Sequence, residues 1–199
     1  MTPMGRDLVE AVRASPLLEG ADLAHSEHVT RIAYQFFDAL VPLHRLGPGE
    51  RELLGAAGLL HDVGWRDGRR GHHRRSCELV RDDATLPLSP EERVTVALIA
   101  RYHRKGLPDP EKHPLYAALD PPTRITVRWL GGILRLADGL DRSHLQDVKE
   151  VRCEVTPETI QVQCRTWRPT VEVHSVSFPK ADLLEAASGR RCELTWAWF

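Results

Sequence analysis

The chain has 199 residues, enough to bury one substantial core, and 42% hydrophobic with 28% charged residues is the balance of a globular protein. A net charge of -1 excludes any global pull toward nucleic acid or an anionic membrane, and the positive side is almost all Arg, 23 against 4 Lys. Four scattered cysteines (Cys77, Cys153, Cys164, Cys192) with no C-x-x-C pair exclude a zinc knuckle or a disulfide frame and suit a reducing compartment.

The start, MTPMGRDLVEAV, has no basic stretch leading into an apolar run, so no signal peptide is expected. No apolar run is long enough to span a bilayer, and the expected location is cytoplasmic, with no membrane partner and no specific nucleic acid. From Asp22, DLAHSEHVTRIAYQFFDALVPLH repeats apolar residues at helical spacing (Val29, Ile32, Ala33, Phe36, Phe37, Leu40), and Gly47-Pro48-Gly49 breaks it. ERELLGAAGLLHDVG is a second helix stopped by Gly64, and HHRRSCELVRDDA, after the loop RDGRRG, a third. Ser89 caps a helix with Pro90 at its first position, running through VTVALIARYHRK to Gly106 and Pro108. A Pro-studded link leads to PPTRITVRWLGGILRLADGLDRSH, the last long helix despite its Gly pair. The pattern then changes. VKEVRCEVTPETIQVQCRT alternates around Pro157-Glu158 as a β-hairpin, KADLLEAAS predicts a short helix and CELTWAWF a final strand. The expected architecture is mainly α: a helical domain over 1–146 and a small α+β tail over 147–199.

Three helices each carry an ionisable group on a side that should be buried. His25 lies one turn before Val29, His61 one turn after Ala57 with Asp62 beside it, and Asp138 one turn after Leu134. A single histidine on an apolar face is more often a core residue satisfied by its neighbours. The joint pattern is different, because a carboxylate in such a place is costly unless it is paired or bound to metal. Imidazole and carboxylate together suit zinc, iron, manganese or nickel. His44, His113, His144 and His174 lie in polar or loop contexts and are expected at the surface. Trp167, Trp196 and Trp198 are expected to pack the tail or an oligomer contact.

The order His25, His61-Asp62, Asp138 resembles the HD superfamily of metal-dependent phosphohydrolases. Within it, HSEHVTRIAYQFFDAL, LLGAAGLLHDVGW, GHHRRSCELV, SPEERVTVALIARYHRKGLP and ILRLADGLDRSH look like the C-terminal helical region of exopolyphosphatases and guanosine pentaphosphate phosphohydrolases. The resemblance implies an HD-type helical bundle with His25, His61, Asp62 and Asp138 as metal ligands. It adds His103 and either His72 or His73 for a second divalent ion, with His28 as an accessory group. Arg75 stands where relatives often carry a histidine. Some twenty residues precede the HD region, so no counterpart of the two actin-like domains of the full-length enzymes is expected, and their mechanism is not expected to transfer.

The resulting expectation is hydrolysis of a small phosphorylated substrate, nucleotide or alarmone, by one or two divalent transition-metal ions (Mn, Fe, Zn or Ni). Asp62, His103 and Arg142 would be catalytic. Arg70, Arg74, Arg75, Arg104 and Lys105 would hold phosphate, within a wider basic set that includes Arg66, Arg69 and Arg101. A different reading is a regulatory module that binds polyphosphate or nucleotide without turnover. A third is a structural domain that forms a homodimer through its tail.

Overall fold

The computed structural model describes residues 8–167 and 178–199, and His174 lies outside them. The first helix, α1 (Leu8–Arg13), is one that periodicity did not predict. Helix α2 (Leu23–His44) begins where Asp22 accepts a hydrogen bond from the His25 amide, and it buries Val29, Ile32, Ala33, Phe36, Phe37 and Leu40 as the spacing requires. Arg45, at φ +57°, ends α2 by returning its amide to the Val41 carbonyl, and Gly47-Pro48 then starts α3 (Pro48–Leu60), because Pro at the first helical position needs no amide partner. Helix α3 stops before His61 and a 3-10 turn, Val63–Asp67, follows. Next come α4 (His72–Asp82), α5 (Pro90–Tyr102), the short α6 (Pro114–Ala117) within the Pro-rich link, and α7 (Pro121–Leu140).

The tail holds β1 (Val148–Val155), β2 (Thr159–Thr166), α8 (Asp182–Ser188) and β3 (Arg191–Trp198). The sheet order is β1-β2-β3, with an antiparallel hairpin and β3 parallel to β2, a pairing that needs the crossover through α8. Together these make a mainly α fold with a small α+β appendage.

The glycine pair in α7 has a packing reason. A Cβ at Gly132 would lie 2.8 Å from the Leu184 Cα and amide nitrogen, so α8 rests backbone-close on α7 and drives Leu183 and Leu184 into the core. Each such burial contributes roughly 1.5–3 kcal/mol. On the other side the Gln35 side chain of α2 accepts from the Val151 amide at 2.7 Å. Apolar residues of the tail and of the helices belong to one contiguous core. The Trp167 indole stacks on Phe199 at 4.4 Å. No helix among the described residues is long and apolar enough to cross a membrane.

Candidate metal centre

The ends of α3 and α5, the starts of α2 and α4, and the last turn of α7 face one another. The final carbonyls of a helix have no intrahelical partner, and here they serve to orient imidazoles. His61 Nδ1 donates to the Gly58 carbonyl at 2.7 Å and His103 Nδ1 to the Ala100 carbonyl at 2.6 Å. His72 does the same with the Arg69 carbonyl at 3.0 Å, and His25 Nδ1 lies 2.8 Å from Asp141 Oδ2. A carbonyl can only accept, so in His61, His72 and His103 Nδ1 carries a proton and Nε2 is turned to the centre, and the Asp141 carboxylate holds the His25 ring the same way round. Four Nε2 atoms thus point inward.

They meet on Asp62. Its Oδ1 lies 3.2 Å from His72 Nε2 and 3.5 Å from His103 Nε2, while its Oδ2 lies 3.6 Å from His61 Nε2 and 3.9 Å from His25 Nε2. Asp138 Oδ1 adjoins the second pair, 3.5 Å from His25 Nε2 and 3.8 Å from His61 Nε2. Two donor groups suited to a cation result, His25-His61-Asp62 and Asp62-His72-His103, and the same carboxylate serves both. His25 Nε2, His61 Nε2 and Asp62 Oδ1 are buried without a hydrogen-bond partner among the described residues. Buried polar atoms are rarely orphaned, and a divalent metal is the partner these donors fit.

The charges support that fit. Burial works against ionised Asp62, but His61, His72 and His103 outweigh it and hold its carboxyl well below the usual range. Asp138 behaves alike: burial opposes its charge, and the Lys180 ammonium and His25 more than compensate. Burial would also discharge His25, yet the nearby Asp138 carboxylate and the bond to Asp141 carry it up to about 9. Burial, with His61 beside it, pushes His103 well below the ordinary imidazole value.

Above the centre opens a cavity of about 410 Å³ whose floor is Asp62, His72, His103 and Asp138. Arg69, Arg104, Arg142 and Lys180 give its walls four cations, and Trp65 and His144 complete them. Of the residues expected from sequence, His25, His61, Asp62, His72, His103 and Asp138 converge. His73 joins neither donor group: its ring sits 5.8 Å from that of His72 and lines a neighbouring pocket with Arg70 and Lys105. Arg74 is exposed on α4, and Arg75 turns away to Asp67 and Glu78. Arg75 thus lies outside both donor groups, and His72 is the α4 histidine that joins one of them. Arg66 binds the carbonyls of Val63 and Leu17, and Arg101 lies by the Tyr102 ring. His28 is buried beside Arg31 and belongs to neither donor group.

Two surface assignments are corrected. His44 is buried, held by the Phe37 carbonyl and the Leu46 amide at the end of α2. His144 stacks on His25 with centroids 3.8 Å apart and borders the cavity, because α7 ends at Leu140 and the chain folds back. His113 is half-buried against Tyr102 and Asp109. Sequence reasoning missed Asp141, although its spacing of three from Asp138 at a helix end was a usable sign. It also missed Lys180, which the tail carries to Asp138 and to the His103 carbonyl at 3.3 Å, and nothing local in the sequence marks it. A family model described as HD-CE matches residues 15–144, about two thirds of the chain. Comparison with curated proteins gives no match.

Proposed function

The chain belongs to the HD-CE family, and from that premise we propose that it is a metal-dependent phosphohydrolase acting on a small phosphorylated substrate, a nucleotide or alarmone. One observation carries this reading: two histidine pairs face opposite oxygens of Asp62 beneath a cavity walled by Arg69, Arg104, Arg142 and Lys180. When bound, divalent metal supplies the Lewis acidity that activates a water and polarises a phosphoryl group. The chain's own groups do the rest. Asp141 holds the His25 proton on Nδ1, and the carbonyls of Gly58, Ala100 and Arg69 fix the other three rings. The guanidinium groups clamp non-attacked phosphoryl oxygens, and Asp62 stays ionised and orients the attack. Kinship to the helical region of exopolyphosphatases is part of the same proposal and rests on the five ordered segments.

The test is elemental analysis of protein purified without chelator, paired with phosphate release from a nucleotide panel with added manganese. Bound transition metal with turnover, both lost in Asp62→Ala, is the expected result. Metal-free protein with no release from any substrate overturns the reading.

A further inference from the structure

Arg69 and Arg104 each line two pockets. One is the cavity over the metal centre, and the other, of about 270 Å³, lies beyond them and is bordered by Arg70, Gly71, His73 and Lys105. Its four cations form no salt bridge among the described residues, whereas Arg51, Arg75, Arg81 and Arg165 each hold a carboxylate. Uncompensated positive charge gathered in a concavity repels itself, and an anion relieves it.

The backbone points the same way. This second pocket sits at the start of α4, where Gly71 takes φ +82° and no side chain caps the first turn. A Cβ at Gly71 would meet nothing within 4 Å, so the approach to these amides is open. The first turn contains no acid to offset the helix's positive end and opens instead His72-His73-Arg74. Such an end is unfavourable alone and suited to phosphate. His73, 6% exposed, lines the pocket, and its buried Nδ1 has no hydrogen-bond partner among the described residues.

We propose that this pocket is a second anion subsite, and that the ligand class is a chain of linked phosphoryl groups. One phosphoryl lies at the metal centre, another over Gly71 and His73, with Arg69 and Arg104 between them. The scissile end of this assignment rests on the phosphohydrolase reading, while the second subsite stands on its own residues. A phosphate monoester fills one pocket; inorganic tripolyphosphate and a nucleoside triphosphate both reach two.

The test is calorimetric titration of the metal-stripped full chain with orthophosphate, tripolyphosphate and ATP. Tripolyphosphate should bind at least about tenfold more tightly than orthophosphate, and the exposed double change R70Q/K105Q should cost about tenfold. A control pair, R81Q/R152Q, removes the same charge elsewhere and should cost nothing. Equal affinity for orthophosphate and tripolyphosphate overturns the subsite. So does equal loss in both double variants, or none in R70Q/K105Q. ATP binding above that of tripolyphosphate assigns a nucleotide, and weaker binding an inorganic chain; either supports the subsite. Absence of metal and turnover alongside a loss confined to R70Q/K105Q removes the hydrolase reading alone. Turnover with undiminished tripolyphosphate binding in R70Q/K105Q removes the subsite alone.

Discussion

At the scale of single residues, Asp62 is the one side chain among the described residues whose two oxygens each face a separate histidine pair. Asp62→Ala should therefore empty both donor groups, whereas His72→Ala should lower the metal-to-chain ratio by about half and leave His25 and His61 loaded. Plasma emission analysis of the two purified variants checks this, and equal ratios would contradict it. The His25 value of about 9 fixes a pH dependence. Below that pH a proton occupies the atom a metal needs, so affinity should fall on acidification, about tenfold per unit for one competing proton, and level off above it. Chelator competition between pH 6 and 10 (roughly, the span around the imidazole range) reads the slope. Asp141→Asn leaves every ligand in place but weakens the grip on the His25 ring, and about 10–100-fold weaker metal binding is expected. An Asp141→Asn affinity equal to wild type would show that the contact does not position the ring. Most of this centre was legible because its ligands interrupt apolar helix faces, where a charge needs an explanation. Lys180 and His144 were not, since they reach the cavity only through chain reversals after Leu140 and in the tail.

At the scale of elements, the 3-10 turn after Asp62 and the start of α4 are locked together. The Gly64 amide donates to Ser76 Oγ at 2.9 Å, and a Cβ on Gly64 would fall 2.3 Å from the His72 carbonyl oxygen. Neither backbone can give way cheaply. Gly64→Ala should destabilise the fold by about 1–3 kcal/mol, and it should weaken metal at the His72-His103 group before the other. Denaturant unfolding and metal titration together check this; an unchanged midpoint would show the packing to be loose. The helices themselves were read well from periodicity and caps, α2 and α5 nearly to their ends. Where the reading stopped short, local signals were ambiguous. Arg45 ends α2 in a conformation that its side chain does not advertise, Gly47-Pro48 only begins α3, and the Gly131-Gly132 pair that weakens α7 locally is the groove into which α8 fits.

At the scale of the molecule, the tail shares its core with the helices and its α8 rests on α7. Helices and sheet should accordingly unfold in one transition. Far-UV ellipticity and hydrogen exchange at the β2 amides should give the same free energy, and a lower value for β2 would mark the tail as an independent unit. The parallel placing of β3 beside β2 was invisible in the sequence, since alternation fixes a strand's faces but not its neighbour. The Lys180 ion pair carries this unity into the cavity, because the carboxylate that borders the metal centre also anchors the tail. Linkage is reciprocal: a ligand held more tightly by a docked tail must tighten the tail's docking by the same factor. Resistance of the C-terminal sheet to slow proteolysis thus becomes a gauge of occupancy at a site built mostly from other helices.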